Sequence, residues 1–164
     1  MRLYDPVEES QKTPPRLSRR GIVLLGVAGL ATSGAIAAQW FNILAENGGT
    51  ALSPPDAHQA ALSGAVLLID IRRPDEWRRT GLGEGAVPID MRRPDFEEAL
   101  LQHTQGDRQR PIALICARGV RSRHLSARLL AAGYTQIIDV PEGMLGSGAG
   151  PGWLRRDLPL VAFE

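Results

Sequence analysis

Cysteine is almost absent from this chain: Cys116 is the only one in 164 residues. A single thiol forms no intramolecular disulfide, and no second thiol stands ready to resolve an oxidised form. Lysine is missing from Ala51 onward, which excludes a lysine Schiff base or lysine general base in that part of the chain. Histidine is sparse as well. His58, His103 and His124 stand far apart without metal-ligand spacing, so no metal site is expected. Excess charge is lacking too: the formal net charge is +1, and from Ala51 onward arginines and acidic residues are equal in number. A domain so balanced does not have the basic excess of a nucleic-acid binder, and no nucleic-acid partner is expected. No spacing in the chain implies a cofactor.

The first fifty residues read differently from the rest. Residues 1–20 form a polar, basic N-region with Pro6, Pro14 and Pro15 and no helical or strand periodicity, the composition of a disordered segment. Residues 21–44 hold an apolar run with Gly26, Gly29, Gly34 and many alanines, followed by a short linker over 45–52. Arg19-Arg20 before a modest apolar stretch, with Ala35-Ile36-Ala37 as a small-residue cleavage pattern, resembles a twin-arginine export signal. Leu24 stands where such signals usually carry lysine. Two further readings stay open. The run over 22–44 is long enough for an uncleaved inner-membrane anchor, with Trp40 near the far interface, or it is a buried helix of a soluble protein. Signal and anchor alike place residues 53–164 in the periplasm.

Residues 53–164 form the expected folded domain. Ser53-Pro-Pro-Asp56 supplies a cap residue, a proline at the first helical position and an acid three residues after the cap, and Gly64 closes the helix. The runs 66–71 and 111–116 are continuous apolar stretches of strand length, the pattern of strands buried on both faces. Residues 74–79 read as a helical turn and 86–91 as a strand that Pro88 confines to an edge. Residues 94–105 read as a helix with Phe96, Ala99, Leu100 and His103 along one side. A helix over 122–132 and a strand over 136–140 complete the order. Strands alternating with helices imply an α/β fold with a small, mostly parallel central sheet. Asp70-Ile-Arg-Arg-Pro-Asp75 echoes Asp90-Met-Arg-Arg-Pro-Asp95. Each copy is expected to end a strand and start a helix, where Pro and Asp suit the first turn.

The candidate chemistry sits on Cys116-Ala-Arg-Gly-Val-Arg-Ser122, between an apolar strand and a helix start. In parallel α/β sheets this is where reactive loops lie, with the next helix pointing its unpaired amides at the site. Gly119 lets the backbone curl into an anion nest, and Arg118 and Arg121 add positive charge, so the loop favours thiolate over thiol. A free cysteine at a strand end is often only a small apolar side chain. Burying a thiol, however, requires neither a glycine turn nor two arginines before a helix cap.

These residues resemble a single-domain rhodanese. The resemblance rests on Leu68-Ile-Asp70-Ile-Arg72 with Glu76-Trp77, Gly85-Ala86, the Cys116–Ser122 loop, Glu142-Gly143-Met144 and Leu158-Pro159. It implies a three-layer rhodanese-like sandwich and sulfurtransferase activity through a Cys116 persulfide. A small sulfur-containing anion such as thiosulfate is then the expected donor, and cyanide or a protein or low-molecular-weight thiol the acceptor. Ala117, Arg118, Gly119, Val120, Arg121 and Ser122 would shape the anion site, with Asp70 and Arg72 bracing the loop. Phosphatases of related architecture place five residues between cysteine and arginine; here four separate Cys116 from Arg121, which favours sulfur over phosphate. Two departures stand out. Leu82 occupies a position where many relatives carry histidine, and Glu142-Gly143 replaces a glycine pair. Residues 147–152 are glycine-rich, as a mobile flap or a surface loop would be. A sulfur carrier without turnover of its own, or a redox-sensing thiol, are the alternative functions.

Overall fold

The computed structural model describes residues 51–164. The N-region over 1–20, the apolar segment 21–44 and residues 45–50 lie outside the described residues. The last two positions of the expected linker do not: Ala51 forms a parallel bridge to Asp139, and buried Leu52 donates its amide to the Asp139 carbonyl at 2.9 Å.

Helix α1 (Pro54–Leu62) starts as the cap pattern predicts, with the Ser53 hydroxyl accepting the Asp56 amide. It packs Ala57 and Ala60 beneath the sheet. Strand β1 (Leu67–Asp70) leads into α2 (Pro74–Thr80). Two very short strands follow, β2 (Leu82–Gly83) and β3 (Val87–Pro88), then α3 (Phe96–Thr104), β4 (Ile112–Ile115), α4 (Val120–Ala131) and β5 (Ile137–Val140). A 3-10 turn (Leu154–Arg156) and β6 (Leu160–Val161) complete the chain.

The central sheet has four parallel strands in the order β3-β1-β4-β5, so Pro88 does sit on an edge. Alternation along the strands sends side chains to two faces. Leu68, Ala113, Ile115, Ile138 and Val140 pack with α1 and Trp153; Ile69, Ile112, Leu114 and Ile137 pack with Phe96, Leu100, Leu125 and Leu129 of α3 and α4. The result is the expected three-layer α/β sandwich. Each fully buried Leu or Ile contributes about 1.5–3 kcal/mol to holding the layers together.

Four differences from the sequence reading have physical causes. Helix α3 begins at Phe96 rather than residue 94, since Phe96 inserts into the core and the chain from Asp90 to Arg93 first makes a turn, with the Arg93 amide donating to the Asp90 carbonyl. His103 is exposed, and Thr104 takes the buried place beside it. Helix α4 begins at Val120, two residues before Ser122, because Gly119 adopts φ +80° and serves as the cap itself. The pairing of β2 with β6, antiparallel through Leu82↔Val161, is too short to leave a period-two pattern. Among the described residues no helix is long and apolar enough to cross a membrane.

Candidate active site

Strand β4 delivers Cys116 to the carboxyl edge of the sheet, where the residue is 1% exposed. Its neighbour β1 is tied to it at the same level, since the Ile71 amide donates to the Ile115 carbonyl at 3.0 Å. The loop then doubles back. The Gly119 amide donates to Cys116 Sγ at 3.2 Å, and the buried Ser122 hydroxyl stands 3.5 Å from the same sulfur while donating to the Gly119 carbonyl at 3.1 Å. This fold-back requires glycine. A Cβ at Gly119 would sit 2.2 Å from the Pro141 carbonyl oxygen, besides forcing a side chain to positive φ. Ala117 is half-buried, whereas Arg118 and Val120 point outward and are exposed.

A second segment closes the other side. The Met144 and Leu145 amides donate to the carbonyls of Cys116 and Ala117, each at 2.9 Å, and Gly143 lies so close to Ala117 that a Cβ would come within 2.6 Å of its oxygen. The glycine-rich stretch beyond is a pinned turn. Ser147 and Gly150 exchange backbone hydrogen bonds, the Ser147 hydroxyl donates to the Pro141 carbonyl, and the Gly152 amide donates to Glu142. Glu142, 4% exposed, also takes a bidentate pair from Arg156 at 2.8 and 3.0 Å. Burial works against its charge, yet the bonds from Arg156 and Gly152 outweigh it and hold the carboxyl below its ordinary pKa.

The two loop arginines differ. Arg121 is gripped by Glu76 through two parallel bonds of 2.7 and 2.8 Å. Glu76 occupies the third position of α2, where it also accepts the Arg73 amide and completes a capping box. The hydrogen bond from Arg121, more than any other cause, lowers the Glu76 pKa from 4.5 to about 2, so the pair stays ionised at any ordinary pH. Glu76 in turn holds Arg121 still more firmly protonated. Arg118 has no carboxylate partner among the described residues; its guanidinium only approaches the Gly146 carbonyl at 3.4 Å.

Asp70 and Arg72 are buried together, 0% and 1% exposed. Arg72 forks onto Asp70 at 2.6 and 2.9 Å and uses its remaining donors on Thr80 Oγ1 and the Gly81 carbonyl, both at 2.8 Å. Their bonds therefore run to the end of α2, and their link to the cysteine loop passes through Glu76. Glu76 and Glu142 are the residues of this site that spacing alone did not single out. The capping position three residues after Arg73 was the available signal for the first, and nothing local marked the second. Among the described residues no cluster could hold a metal ion.

Comparison with known proteins agrees with this geometry. Residues 53–146, more than half of the chain, match the Rhodanese-like domain. A sulfurtransferase of Allochromatium vinosum is 28% identical over 99 residues, covering 60% of this chain and 81% of its own. A tRNA uridine(34) hydroxylase of Chlamydia abortus is 28% identical over 110 residues, 65% of this chain; the match spans only 33% of that longer protein. Among solved structures, the polysulfide-sulfur transferase homodimer of Wolinella succinogenes superposes with a TM-score of 0.53 at 25% identity, covering 83% of this chain and 93% of that one. A four-stranded parallel sheet, a cysteine loop wrapped on a helix start and the domain-length match lead to one assignment: the chain belongs to the rhodanese-like family.

Proposed function

We propose that this domain is a sulfurtransferase that passes sulfane sulfur through a persulfide on Cys116. The observation that carries this reading is the Gly119 amide aimed at Cys116 Sγ from 3.2 Å, at the mouth of a loop capped by α4. Such a donor stabilises negative charge on sulfur both as thiolate and as persulfide.

In the first half-reaction the thiolate attacks the outer sulfur of a donor, for which thiosulfate is the simplest probe. A Cys116–sulfur bond forms, the donor's sulfur–sulfur bond breaks, and sulfite leaves with the electron pair. In the second, an acceptor such as cyanide or a thiol attacks the terminal sulfur and the Cys116 thiolate is restored. The amides of Ala117, Gly119, Val120 and Ser122 curl round the sulfur, Arg118 faces the incoming anion, and Arg121 shapes the wall beside it. Asp70 and Arg72 hold α2 in place. Similarity to proteins named sulfurtransferase and polysulfide-sulfur transferase supports the same chemistry. Arg19-Arg20 and the apolar run after it support export to the periplasm, with residues 21–44 cleaved as a signal or kept as an anchor.

The direct test is the intact mass of the protein after incubation with a sulfane donor. A gain of one sulfur that dithiothreitol removes, and that Cys116→Ala lacks, is the expected result. No gain with thiosulfate, polysulfide or an organic persulfide would overturn the assignment. Fractionation of cells, with the mass of the protein in each fraction, decides export; a wholly cytosolic protein would refute it.

A further inference from the structure

We infer that Glu76, by taking up the charge of Arg121, makes this site selective for organic persulfides, singly charged at most on sulfur, over doubly charged donors such as thiosulfate. The inference rests on the sulfurtransferase reading and concerns which donor it serves.

Around the loop the charges nearly cancel. Glu76 neutralises Arg121 bidentately, Arg73 pairs with Asp75 and Glu76, and Arg92 pairs with Asp90. These groups form one neighbourhood, since Asp90 is felt by Arg121, and Arg92 by Asp75 and Glu76. Three carboxylates thus face three guanidiniums, and Arg118 is left as the uncompensated cation. One cation suffices to balance the Cys116 thiolate. Thiosulfate attack would bring three negative charges together, one on Cys116 and two on the donor, with the Gly119 amide already engaged by the sulfur.

An organic persulfide asks less of the site. In the balanced step the Cys116 thiolate attacks the outer sulfur of R–S–SH, the Cys116–sulfur bond forms, the R–S bond to that sulfur breaks, and R–S⁻ leaves with the electron pair. The proton stays on the transferred sulfur, and a single negative charge is conserved throughout. The rim also suits a carbon body: Val120 is 63% exposed in the loop, and Leu145, 36% exposed, is hydrogen-bonded to Ala117 on the other side. Apolar side chains held open at the mouth of an otherwise charged region offer contact to an organic group and nothing to a small hydrated oxyanion.

Single-turnover sulfur gain on Cys116, followed by intact mass, tests this with two probes, 2-hydroxyethyl persulfide and thiosulfate. The wild-type chain is expected to take sulfur from the persulfide faster. Glu76→Gln keeps an oxygen for the Arg73 amide but releases Arg121, and should raise the thiosulfate rate about tenfold, the scale of one charge-assisted hydrogen bond, while the persulfide rate stays within about twofold. Because the readout is a ratio on one preparation, a loss of folded protein cannot mimic it. An unchanged ratio in Glu76→Gln, or a wild-type preference for thiosulfate, would overturn the inference while leaving the sulfurtransferase intact. Sulfur gain from neither probe would sink both.

Discussion

The two copies of Asp-x-Arg-Arg-Pro-Asp begin with the same local geometry and end in different roles. In each, the first arginine forks back onto its aspartate: Arg72 reaches Asp70, and Arg92 reaches Asp90, in both cases with a closest approach of 2.6 Å. In each, the second arginine turns to the downstream acid, Arg73 to Asp75 and Arg93 to Asp95. Burial separates them. The Arg72 side chain is 1% exposed and finds Thr80 and Gly81 for its remaining donors, whereas that of Arg92 is 60% exposed and finds only its aspartate. The seventh residue explains the divergence. Glu76 caps α2 and grips Arg121, so the helix starts at once at Pro74; Phe96, in the matching place, dives into the core and delays α3. A short sequence echo therefore dictates an ion pair, and the residue just beyond the echo dictates whether that pair becomes part of the site's scaffold.

This contrast can be broken at several points. The largest effect is expected from Arg72→Ala, which leaves Asp70 buried without a counter-charge and should lower unfolding stability by about 3–5 kcal/mol. Chemical denaturation measures it; a loss no greater than that of a surface substitution would mean that the buried pair braces nothing. A smaller, pH-confined effect belongs to Glu76. Its folded pKa of about 2 lies below the ordinary 4.5, so its stabilisation is complete above about 4.5 and disappears as the pH falls towards 2. Thermal midpoints of Glu76→Gln should thus approach those of the wild type across that window. A constant gap down to the lowest pH would contradict the assignment. The smallest effect is expected at the exposed copy. A double-mutant cycle on Asp90 and Arg92 should show coupling within experimental scatter, further reduced by salt. Coupling as large as that between Asp70 and Arg72 would erase the distinction drawn between the copies.

Much of the site was legible from the chain alone because its parts are close in sequence. A strand end, a glycine turn and a helix start within Cys116–Ser122 state their geometry through backbone rules that act over a few residues. The same holds for Ser53 as a cap and for the edge placement of Pro88. What distance in sequence hid was the second wall. The hydrogen bonds of Met144 and Leu145 to the strand exit, and the pinning of the 147–152 turn on Glu142, leave no local pattern beyond glycine richness. That richness reads equally as a flap or a loose loop until the buried carboxylate is seen beneath it.

The amino-acid sequence by itself determined the single candidate nucleophile, the alternation that builds a parallel α/β domain, and the family to which the loop points. Only the tertiary structure decided which of the two loop arginines carries usable charge. Arg118 and Arg121 sit three residues apart with identical chemistry, yet one is neutralised by a carboxylate 45 positions away and the other is not. Charge is written in the sequence, but its compensation depends on distance and burial, and those exist only once β1, α2 and the cysteine loop have packed together.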